Sequence, residues 1–201
     1  MSNLKPQSPN SHSRRPAVFL DRDGVINENR PGYVRNRAQV RILPGALAAL
    51  AALAKSPYAI IVVTNQSGVG RGLISHAEAN AINEHLSAIV TSNGGRFDSV
   101  QLCPHAPDDA CDCRKPQPGM LLRAAVELSL DLSVSWMVGD AVSDIRAGLA
   151  AGVRPLLVRT GRGAQQASKL LEHGLVDVPV VADLTAAVDH ILVHGSPRAD
   201  G

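Results

Sequence analysis

The sequence predicts a doubly wound α/β fold, in which a mainly parallel sheet carries helices on both faces. Three observations lead to this prediction. Short apolar runs alternate with longer helix-like segments along the chain. No Asn-Gly or Asp-Gly pair between two alternating apolar runs indicates a β-hairpin. Apolar residues make up 45% of the chain but aromatic residues only 2%, so small aliphatic side chains dominate, as in sheets buried on both faces.

Six apolar runs are predicted to form the strands. The first, AVFL at 17–20, ends directly in charged residues, and the second is AIIVV at 59–63. The others lie at 97–102, 134–138, 155–158 and 178–181. The run at 178–181 is a weaker pattern than the other five. Since parallel neighbours need a crossover between them, the segments between the runs are expected to be helical.

Helix signals do occupy these segments. Pro44 precedes the apolar body GALAALAALAK, which is typical of a helix start. Ser75 and Glu78 match a capping box that opens a helix running to about Val90. The Asn-Gly-Gly sequence at 93–95 ends that helix. The first half of the chain is therefore expected to place a helix after each of its first two strands.

The second half of the chain carries three further helix signals. Pro118 opens a helix with one apolar face. The residues of that face are Leu121, Leu122, Ala125 and Leu128. A short helix at 143–151 ends at Gly152, and a final helix covers 184–193. The TNQSGVGRG segment at 64–72 is predicted to be a polar loop instead.

Length and composition predict one domain. A chain of 201 residues suits a single core. The predicted domain covers 17–195. It follows a polar tail at 1–16, rich in proline and serine, which is expected to be disordered. Residues 196–201 are expected to form a flexible C-terminus.

Charge and cysteine content exclude several function classes. The formal net charge is +2 and no basic run is long enough to follow a phosphate backbone, so we expect no nucleic-acid partner. No apolar run approaches the ~20 residues of a membrane span, so we expect no membrane partner. Three cysteines cannot form a closed disulfide framework, and the N-terminus lacks a secretory pattern. We therefore expect a cytoplasmic protein, acting as a monomer.

Polar motifs follow four of the predicted strands. They are DRD after the first, TNQSG after the second, a cysteine-rich loop with Arg114 and Lys115 after the third, and Gly-Asp at 139–140 after the fourth. In parallel sheets, ligands bind outside the carboxyl ends of the strands. The four motifs are therefore expected to meet at one edge and to form a site.

Asp21 and Asp23 are two residues apart just past a strand, so both carboxylates can point to the same side. Two close carboxylates repel each other unless a cation or a proton lies between them. One reading is a Mg²⁺ site, and another is a nucleophile beside a general acid. The alternative is a solvated Asp-x-Asp turn with Gly24.

The other three motifs offer groups that suit a phosphate. Thr64 and the residues to Ser67 supply a hydroxyl, an amide and a turn that can bind an oxyanion. Lys115 offers a compact charge and Arg114 a planar fork. Asp140 would complete a metal site, and Asp144 would hold Lys115. The alternative for residues 64–67 is an ordinary turn at a strand end, and for Arg114 and Lys115 it is a solvated surface cation. For Asp144 the alternative is an acid in the first turn of a helix, favoured by the helix dipole.

The cysteine-rich loop holds every cysteine of the chain. Three thiols and an imidazole within eleven residues match a closed tetrahedral Zn²⁺ site. The predicted ligands are Cys103, His105, Cys111 and Cys113. A reactive thiol and a chance cluster are the alternatives. A nucleophilic cysteine would need a base and an oxyanion hole, and this stretch offers neither.

Together these residues carry a family resemblance. FLDRDGVIN, TNQSG, RKPQPGM and VGDAVSDI resemble the four ordered motifs of the haloacid-dehalogenase-like (HAD-like) phosphatases, from residue 17 to about 159. More narrowly, the motifs and the zinc loop resemble the heptose-bisphosphate phosphatase family and its sibling, the histidinol-phosphate phosphatases. The resemblance implies a HAD-like Rossmannoid fold. The intervals between the motifs leave no room for a large cap domain.

The resemblance also implies residue roles. Asp21 would be the nucleophile and Asp23 the general acid and base. Mg²⁺ would be held by Asp21, the Asp23 backbone carbonyl and Asp140. Lys115, Thr64 and the Asn65 amide would neutralise the transferring phosphoryl group. Arg114 would hold the phosphate that is not cleaved. The remaining substrate contacts implied are Asn29, Arg30, Gly32, Tyr33, Gln66 and Ser67, in addition to Thr64, Asn65 and Lys115.

The implied function is removal of the 7-phosphate from a heptose bisphosphate of lipopolysaccharide core or related heptose synthesis. A first rival is hydrolysis of histidinol phosphate or another small phosphomonoester, since those enzymes share the motifs and the zinc loop. A second is a non-catalytic, zinc-stabilised binding module. A nucleic-acid 3′-phosphatase is a third, and the lack of a basic stripe argues against it.

Overall fold

The computed structural model of the chain describes residues 14–195. The predicted flexible C-terminus at 196–201 lies outside the described residues, as does most of the predicted tail at 1–16. The described end of that tail contacts the domain. Arg15 forms a β-bridge with Leu130, and its guanidinium lies 3.4 Å from a carboxylate oxygen of Asp98.

A six-stranded sheet forms the centre of the molecule. Its strands are β1 (Ala17–Leu20), β2 (Ala59–Asn65), β3 (Ser99–Cys103), β4 (Trp136–Gly139), β5 (Arg154–Val158) and β6 (Val180–Val181). The strand order is β3-β2-β1-β4-β5-β6, and every neighbouring pair is parallel. The predicted doubly wound parallel sheet is therefore confirmed.

Within residues 14–195, seven α-helices connect and flank the strands. They are α1 (Ala46–Leu53), α2 (Ser67–Gly70), α3 (His76–Ser92), α4 (Gly119–Glu127), α5 (Val142–Ala151), α6 (Gly163–Glu172) and α7 (Leu184–His194). Short 3₁₀ turns lie at Arg37–Gln39 and Leu132–Val134. The capping box of Ser75 and Glu78 is formed at the start of α3, and Gly152 ends α5 in the left-handed conformation.

Two helices differ from the sequence prediction. The polar loop predicted at 64–72 contains α2, one helical turn whose last residue, Gly70, donates its N–H to the carbonyl of Pro104 at 2.8 Å. The second is α6, for which no helix was predicted. Its Leu170 is buried, but most of its other side chains are exposed, and four of these are polar, so it lacks a long apolar pattern.

The apolar face predicted for α4 is partly wrong. Leu122 is 42% exposed, whereas Met120, Leu121 and Ala124 are fully buried. Both sides of this helix carry apolar side chains, and Val126 on the outer side is also exposed. The sequence pattern alone therefore did not determine which side packs on the sheet.

The alternation of side chains along β1 divides the core into two layers. Val18 and Leu20 pack with residues of α1, α3 and α7 on one face of the sheet. Ala17 and Phe19 pack with residues of α4 and α5 on the other. All four side chains are fully buried, as expected for a central strand covered on both faces.

The functional motifs converge where the winding of the sheet reverses. The chain proceeds from β1 to β2 and β3 in one direction, and from β4 to β5 and β6 in the other. The carboxyl ends of β1 and β4 therefore flank the crevice at the topological switch point. Within the described residues, only α1 and a 3₁₀ turn separate β1 from β2, and only α2 and α3 separate β2 from β3. No cap domain is inserted there, as predicted.

Candidate active site

A cavity of about 620 Å³ opens at the carboxyl ends of the central strands. Nearly all of its wall comes from the predicted motifs. The lining residues are Asp21, Asp23, Asn29, Arg30, Pro31, Tyr33, Val34, Thr64, Asn65, Ser67, Arg71, Pro107, Arg114, Lys115, Ser143, Asp144 and Arg162. Carboxylates, hydroxyls and cations thus surround one space, which is the composition expected of a site for a charged, metal-assisted reaction.

Lys115 is buried on the floor of this cavity. Its ammonium lies 2.7 Å from a carboxylate oxygen of Asp21, 2.7 Å from one of Asp144, and 2.7 Å from the carbonyl of Val63. Although burial lowers the pKa of Lys115, the Asp144 and Asp21 carboxylates outweigh it and raise the pKa above its usual value. Lys115 therefore remains a cation and fixes the orientation of Asp21.

Asp21 follows β1 and is 5% exposed. Burial raises its pKa to about 7, with Lys115 opposing the rise and the Asp144 and Asp140 carboxylates adding to it. Burial thus disfavours the ionised carboxylate, and the neighbouring carboxylates add to this by leaving it short of positive charge. A divalent cation bound here would relieve that shortage.

Asp140 follows β4, is fully buried and lies behind the cavity wall. It accepts hydrogen bonds from the side chain of Asn29 at 2.6 Å and from the backbone N–H of Arg162 at 2.8 Å. The Arg162 guanidinium also lies 3.1 Å from its other oxygen. These donors hold the carboxylate in one orientation.

Three carboxylates form a group that fits Mg²⁺. Oxygens of Asp21, Asp140 and Asp144 all lie within 4.8 Å of one another. Mg²⁺ prefers carboxylate and water oxygens, and Lys115 and Arg162 supply two positive charges against three carboxylates. Gly24 is part of this arrangement, because a Cβ there would collide with the side chains of Asp140 and Asn29. The donor set and the close packing therefore suit the ion.

Asp23 is held by four hydrogen bonds. One oxygen accepts from Arg22 Nε at 3.2 Å and Asn27 Nδ2 at 2.7 Å, and the other from Arg22 Nη2 at 2.8 Å and Gln66 Nε2 at 2.9 Å. Burial alone would raise its pKa, but the Arg22 charge and the hydrogen bonds outweigh it, so the pKa of Asp23 is lowered. These donors favour the ionised carboxylate.

The residues of the TNQS segment, 64–67, have different partners from those expected. Gln66 is buried and does not line the cavity, and its amide donates to Thr64 Oγ1 at 2.7 Å as well as to Asp23. The Asn65 side chain exchanges two 3.0 Å hydrogen bonds with the backbone of Lys115. That side-chain amide positions Lys115, and Asn65 also lines the cavity. Ser67 contacts the Tyr33 hydroxyl at 3.1 Å.

The segment predicted to contact substrate after the first motif is placed in part at the cavity. Asn29, Arg30 and Tyr33 line it, whereas Gly32 does not. Gly32 and Tyr33 both have positive φ, of 78° and 72°. Tyr33 is an unusual residue for that conformation, which turns the chain back towards Ser67.

Arg22, Arg71, Pro107 and Arg162 contact the site without having been predicted to do so. Arg162 lies in the TGRG turn after β5. The rule that ligands bind outside the carboxyl ends of parallel strands could therefore have identified it. Arg22 stands between the two aspartates. Nothing in the sequence indicates that its side chain turns into the core to meet Asn83 at 2.8 Å.

The cysteine-rich loop brings together all four predicted zinc ligands. Cys113 Sγ lies 3.0 Å from Cys103 Sγ and 3.2 Å from His105 Nδ1. Cys103 Sγ lies 3.6 Å from His105 Nδ1 and 3.8 Å from Cys111 Sγ. With Zn–S bonds near 2.3 Å, the edges of a tetrahedral site measure about 3.8 Å. The group therefore fits a structural Zn²⁺ ion.

The thiols of this group differ in acidity. Although burial raises the pKa of Cys111, hydrogen bonds from backbone N–H groups and the neighbouring thiols outweigh it and lower that pKa. Burial, together with the neighbouring thiols of Cys103 and Cys111, raises the pKa of Cys113 to about 12. Burial also raises the pKa of Cys103. Zinc would replace these protons, because thiolate is the form that binds the metal.

The same loop supports two arginines of the cavity wall. Arg114 donates to the carbonyl of His105 at 3.3 Å. Gly70, which precedes Arg71, packs its backbone so closely on residues 104–106 that a Cβ would collide with Ala106 and Pro104. The zinc loop thus contacts the cavity from two sides.

Comparison with known proteins agrees with these observations. The HAD-hydrolase-like family model matches residues 112–187. The D-glycero-beta-D-manno-heptose-1,7-bisphosphate 7-phosphatase of Pseudomonas putida is 39% identical over 176 residues, covering 88% of this chain and 98% of the relative. The Escherichia coli K12 protein of the same name is also 39% identical over 176 residues, covering 82% and 92%.

The chain belongs to the D-glycero-D-manno-heptose-1,7-bisphosphate 7-phosphatase family. Solved structures support this family assignment. The D,D-heptose 1,7-bisphosphate phosphatase from B. bronchiseptica, complexed with magnesium and phosphate, has 38% identity and a TM-score of 0.82, covering 89% of this chain and 98% of that one. The Burkholderia thailandensis enzyme of that name has 35% identity and a TM-score of 0.67, covering 89% and 99%. Among residues 14–195, no helix is long and apolar enough to cross a membrane.

Proposed function

We propose that the chain is a Mg²⁺-dependent phosphatase that removes the 7-phosphate of D-glycero-D-manno-heptose 1,7-bisphosphate through an aspartyl-phosphate intermediate. The observation that carries this proposal is the group of Asp21, Lys115, Asp140 and Asp144 beside one cavity. It occurs in a chain whose relatives are named for this reaction.

In the first step, a carboxylate oxygen of Asp21 attacks phosphorus, and the bond from phosphorus to the sugar oxygen breaks. Lys115, 2.7 Å from Asp21, orients the nucleophile and balances charge on the phosphoryl oxygens. Thr64 lines the same cavity and offers a hydroxyl. Mg²⁺, held by Asp21, the Asp23 carbonyl and Asp140, supplies further positive charge to the phosphoryl group when it is bound.

Asp23 serves both steps of this mechanism. It donates a proton to the departing sugar oxygen, and it then removes a proton from the water that hydrolyses the aspartyl-phosphate. The four donors around Asp23 favour the ionised form, which the second step needs. The first step needs the protonated form, so some of these hydrogen bonds must be exchanged when substrate binds.

The cavity wall has the charge that a bisphosphate requires. Arg30, Arg71, Arg114 and Arg162 all line it, in addition to Lys115. Arg162 is paired with Asp140, and Arg114 is anchored to the zinc loop. We assign the phosphate that is not cleaved to Arg114, whose planar fork suits phosphate oxygens.

The zinc ion is proposed to be structural. Its ligands would be Cys103, His105, Cys111 and Cys113, which leave no open position for substrate. Arg114 and Lys115 follow the last ligand directly. A fixed loop would therefore hold both cations in place without a helix or strand beneath them.

We further propose that the enzyme acts as a monomer in the cytoplasm, in the supply of heptose for lipopolysaccharide or related glycans. The described residues of one chain bring all four motifs to the cavity.

A substrate panel tests the proposed function. The enzyme is assayed with both anomers of the heptose bisphosphate and with histidinol phosphate, with Asp21→Asn as the control for contaminating phosphatase. We expect the highest kcat/KM on a heptose bisphosphate anomer. An equal or higher kcat/KM on histidinol phosphate would contradict the substrate assignment. The lack of turnover on every substrate would favour a non-catalytic binding module.

A further inference from the structure

A buried arginine connects the Asp23 carboxylate to helix α3. Arg22 is 1% exposed, although it carries a full charge. Its Nε and Nη2 atoms donate to Asp23, at 3.2 and 2.8 Å, and its Nη1 donates to Oδ1 of Asn83 at 2.8 Å. All three guanidinium nitrogens are therefore hydrogen-bonded, as a buried charge requires.

Asn83 lies on α3, 61 residues from Arg22 along the chain, and is 6% exposed. Its neighbours Ile82 and Leu86 are buried in the core between α3 and the sheet. The core packing therefore fixes where the Asn83 oxygen lies. Since a guanidinium is planar and rigid, fixing one nitrogen restrains the direction of the other two.

We propose that Asn83 is a positioning residue for phosphoryl transfer, which acts through Arg22 to hold the Asp23 carboxylate in line with the departing oxygen. The inference rests on the proposed role of Asp23 as the general acid. Asn83 does not line the cavity, so it has no direct contact with substrate. Asn27 and Gln66 bind Asp23 from other directions, so the loss of Asn83 displaces the carboxylate but does not release it.

The chemistry of the leaving group gives this inference a specific readout. A sugar alkoxide is a poor leaving group and depends on a correctly placed proton donor. A nitrophenolate is stable as an anion and departs without that proton. Displacement of Asp23 should therefore slow phosphoryl transfer from the sugar much more than transfer from p-nitrophenyl phosphate. Partial unfolding would slow both reactions equally.

The test compares kcat/KM for heptose bisphosphate and for p-nitrophenyl phosphate in Asn83→Leu. We expect the sugar value to fall about tenfold or more and the aryl value less than threefold, as for the loss of a hydrogen bond to a charged group. Because both substrates are assayed on one preparation, the ratio does not depend on how much of the protein is folded. Should Asn83→Leu fail to fold, Asn83→Ala takes its place.

Two variants serve as controls. Asn83→Asp retains an acceptor for Arg22 and should keep the wild-type ratio. Asn80→Leu makes the same change one turn away on the exposed face of α3 and should also keep it. An unchanged ratio in Asn83→Leu, or the same change in Asn80→Leu, would overturn the inference.

The failure of the inference can be told apart from failure of the proposed mechanism. Asp23→Asn must shift the same ratio in the same direction, because it removes the proton donor itself. If Asp23→Asn leaves the ratio unchanged, the general-acid role of Asp23 is wrong. If Asp23→Asn shifts the ratio but Asn83→Leu does not, only the role of Asn83 is wrong.

Discussion

At the scale of single residues, the site depends on the balance of charge among buried groups. The carboxylates of Asp21, Asp140 and Asp144 lie within 4.8 Å of one another, and Lys115 is the cation in direct contact with two of them. Such a group is stable only if its charges are held in place and complemented. The glycines at the strand ends contribute by letting the backbone approach these carboxylates.

Gly24→Ala is expected to weaken Mg²⁺ binding. Gly24 has a φ of 97°, and a Cβ there would collide with Asp140 and Asn29. The displacement of Asp140 should raise the Mg²⁺ concentration for half-maximal activity about tenfold or more, as for other losses of support around a metal ligand. Activity measured against Mg²⁺ concentration provides the readout.

Gly72→Ala is the matched control for this substitution. Gly72 also has a positive φ, of 67°, but a Cβ there would have no atom within 4 Å. Both variants should lose about 1–2 kcal/mol of stability because alanine disfavours positive φ, and Gly24→Ala should lose more because its Cβ also collides with two side chains. Only Gly24→Ala should change the Mg²⁺ requirement. An equally raised Mg²⁺ requirement in both variants would mean that backbone strain, and not the displacement of Asp140, causes the effect.

At the scale of elements, the strands were predicted more accurately than the helices. The central strands β1, β2 and β4 are short apolar runs buried along almost their whole length, and all six predicted strands are present with ends that shift by a few residues. Helix α2 was missed because Ser67–Gly70 has no apolar pattern and is supported by its contact with Pro104. The buried face of α4 was partly misjudged, because Leu122 is as apolar as the residues that pack on the sheet.

The zinc loop is the element most dependent on a ligand. Cys111→Ser is expected to reduce the zinc content from about one ion per chain to near zero, because three ligands no longer close the tetrahedron. A loss of about 3 kcal/mol would lower Tm by roughly 6–12 °C. Metal analysis and thermal unfolding on the same samples measure both effects.

Asp108→Asn is the control for this substitution, since Asp108 is exposed in the same loop and is not among the four ligands. It should keep both the zinc and the Tm. A Cys111→Ser protein that loses zinc but unfolds at the wild-type temperature would show that the metal is not structural.

At the scale of the whole molecule, the order of the strands creates the site. The four motifs come from distant parts of the sequence, and the reversal between β1 and β4 brings them to one crevice. Because ligands bind at the carboxyl ends of parallel strands, the sequence could predict that the motifs after β1 to β4 meet at one crevice. The sequence could not predict side-chain contacts within the core, such as the hydrogen bond between Arg22 and Asn83. Periodic patterns indicate which residues are buried, but not which two distant residues contact each other.

Because of the charge balance of the site, the stabilisation of the folded protein by Mg²⁺ should depend on pH. The folded protein raises the pKa of Asp21 from 3.8 to about 7. The protonated Asp21 therefore stabilises the folded protein fully below pH 3.8, and this stabilisation is lost as the pH rises through about 7. Mg²⁺ binds the ionised carboxylate, so it should raise Tm more at pH 8 than at pH 5.5. At saturating Mg²⁺ the gain at pH 8 should be roughly 5–10 °C.

Thermal unfolding with Mg²⁺ or with a chelator, at both pH values, measures this difference. In Asp21→Asn the gain should be smaller, and its dependence on pH should be lost. An equal gain at pH 5.5 and pH 8 in the unmodified protein would contradict the charge balance described for Asp21.

The central claim is that Asp21 receives the phosphoryl group, and the most direct measurement is mass spectrometry of the acid-quenched enzyme. Asp23→Asn supplied with p-nitrophenyl phosphate is used for the trap, because nitrophenolate departs without the general acid, whereas the loss of the general base should let the intermediate accumulate. We expect one added phosphoryl group on the peptide that contains Asp21, and none when Asp21→Asn is introduced as well. A phosphoryl group on a different residue, or turnover by Asp21→Asn at the wild-type rate, would contradict it.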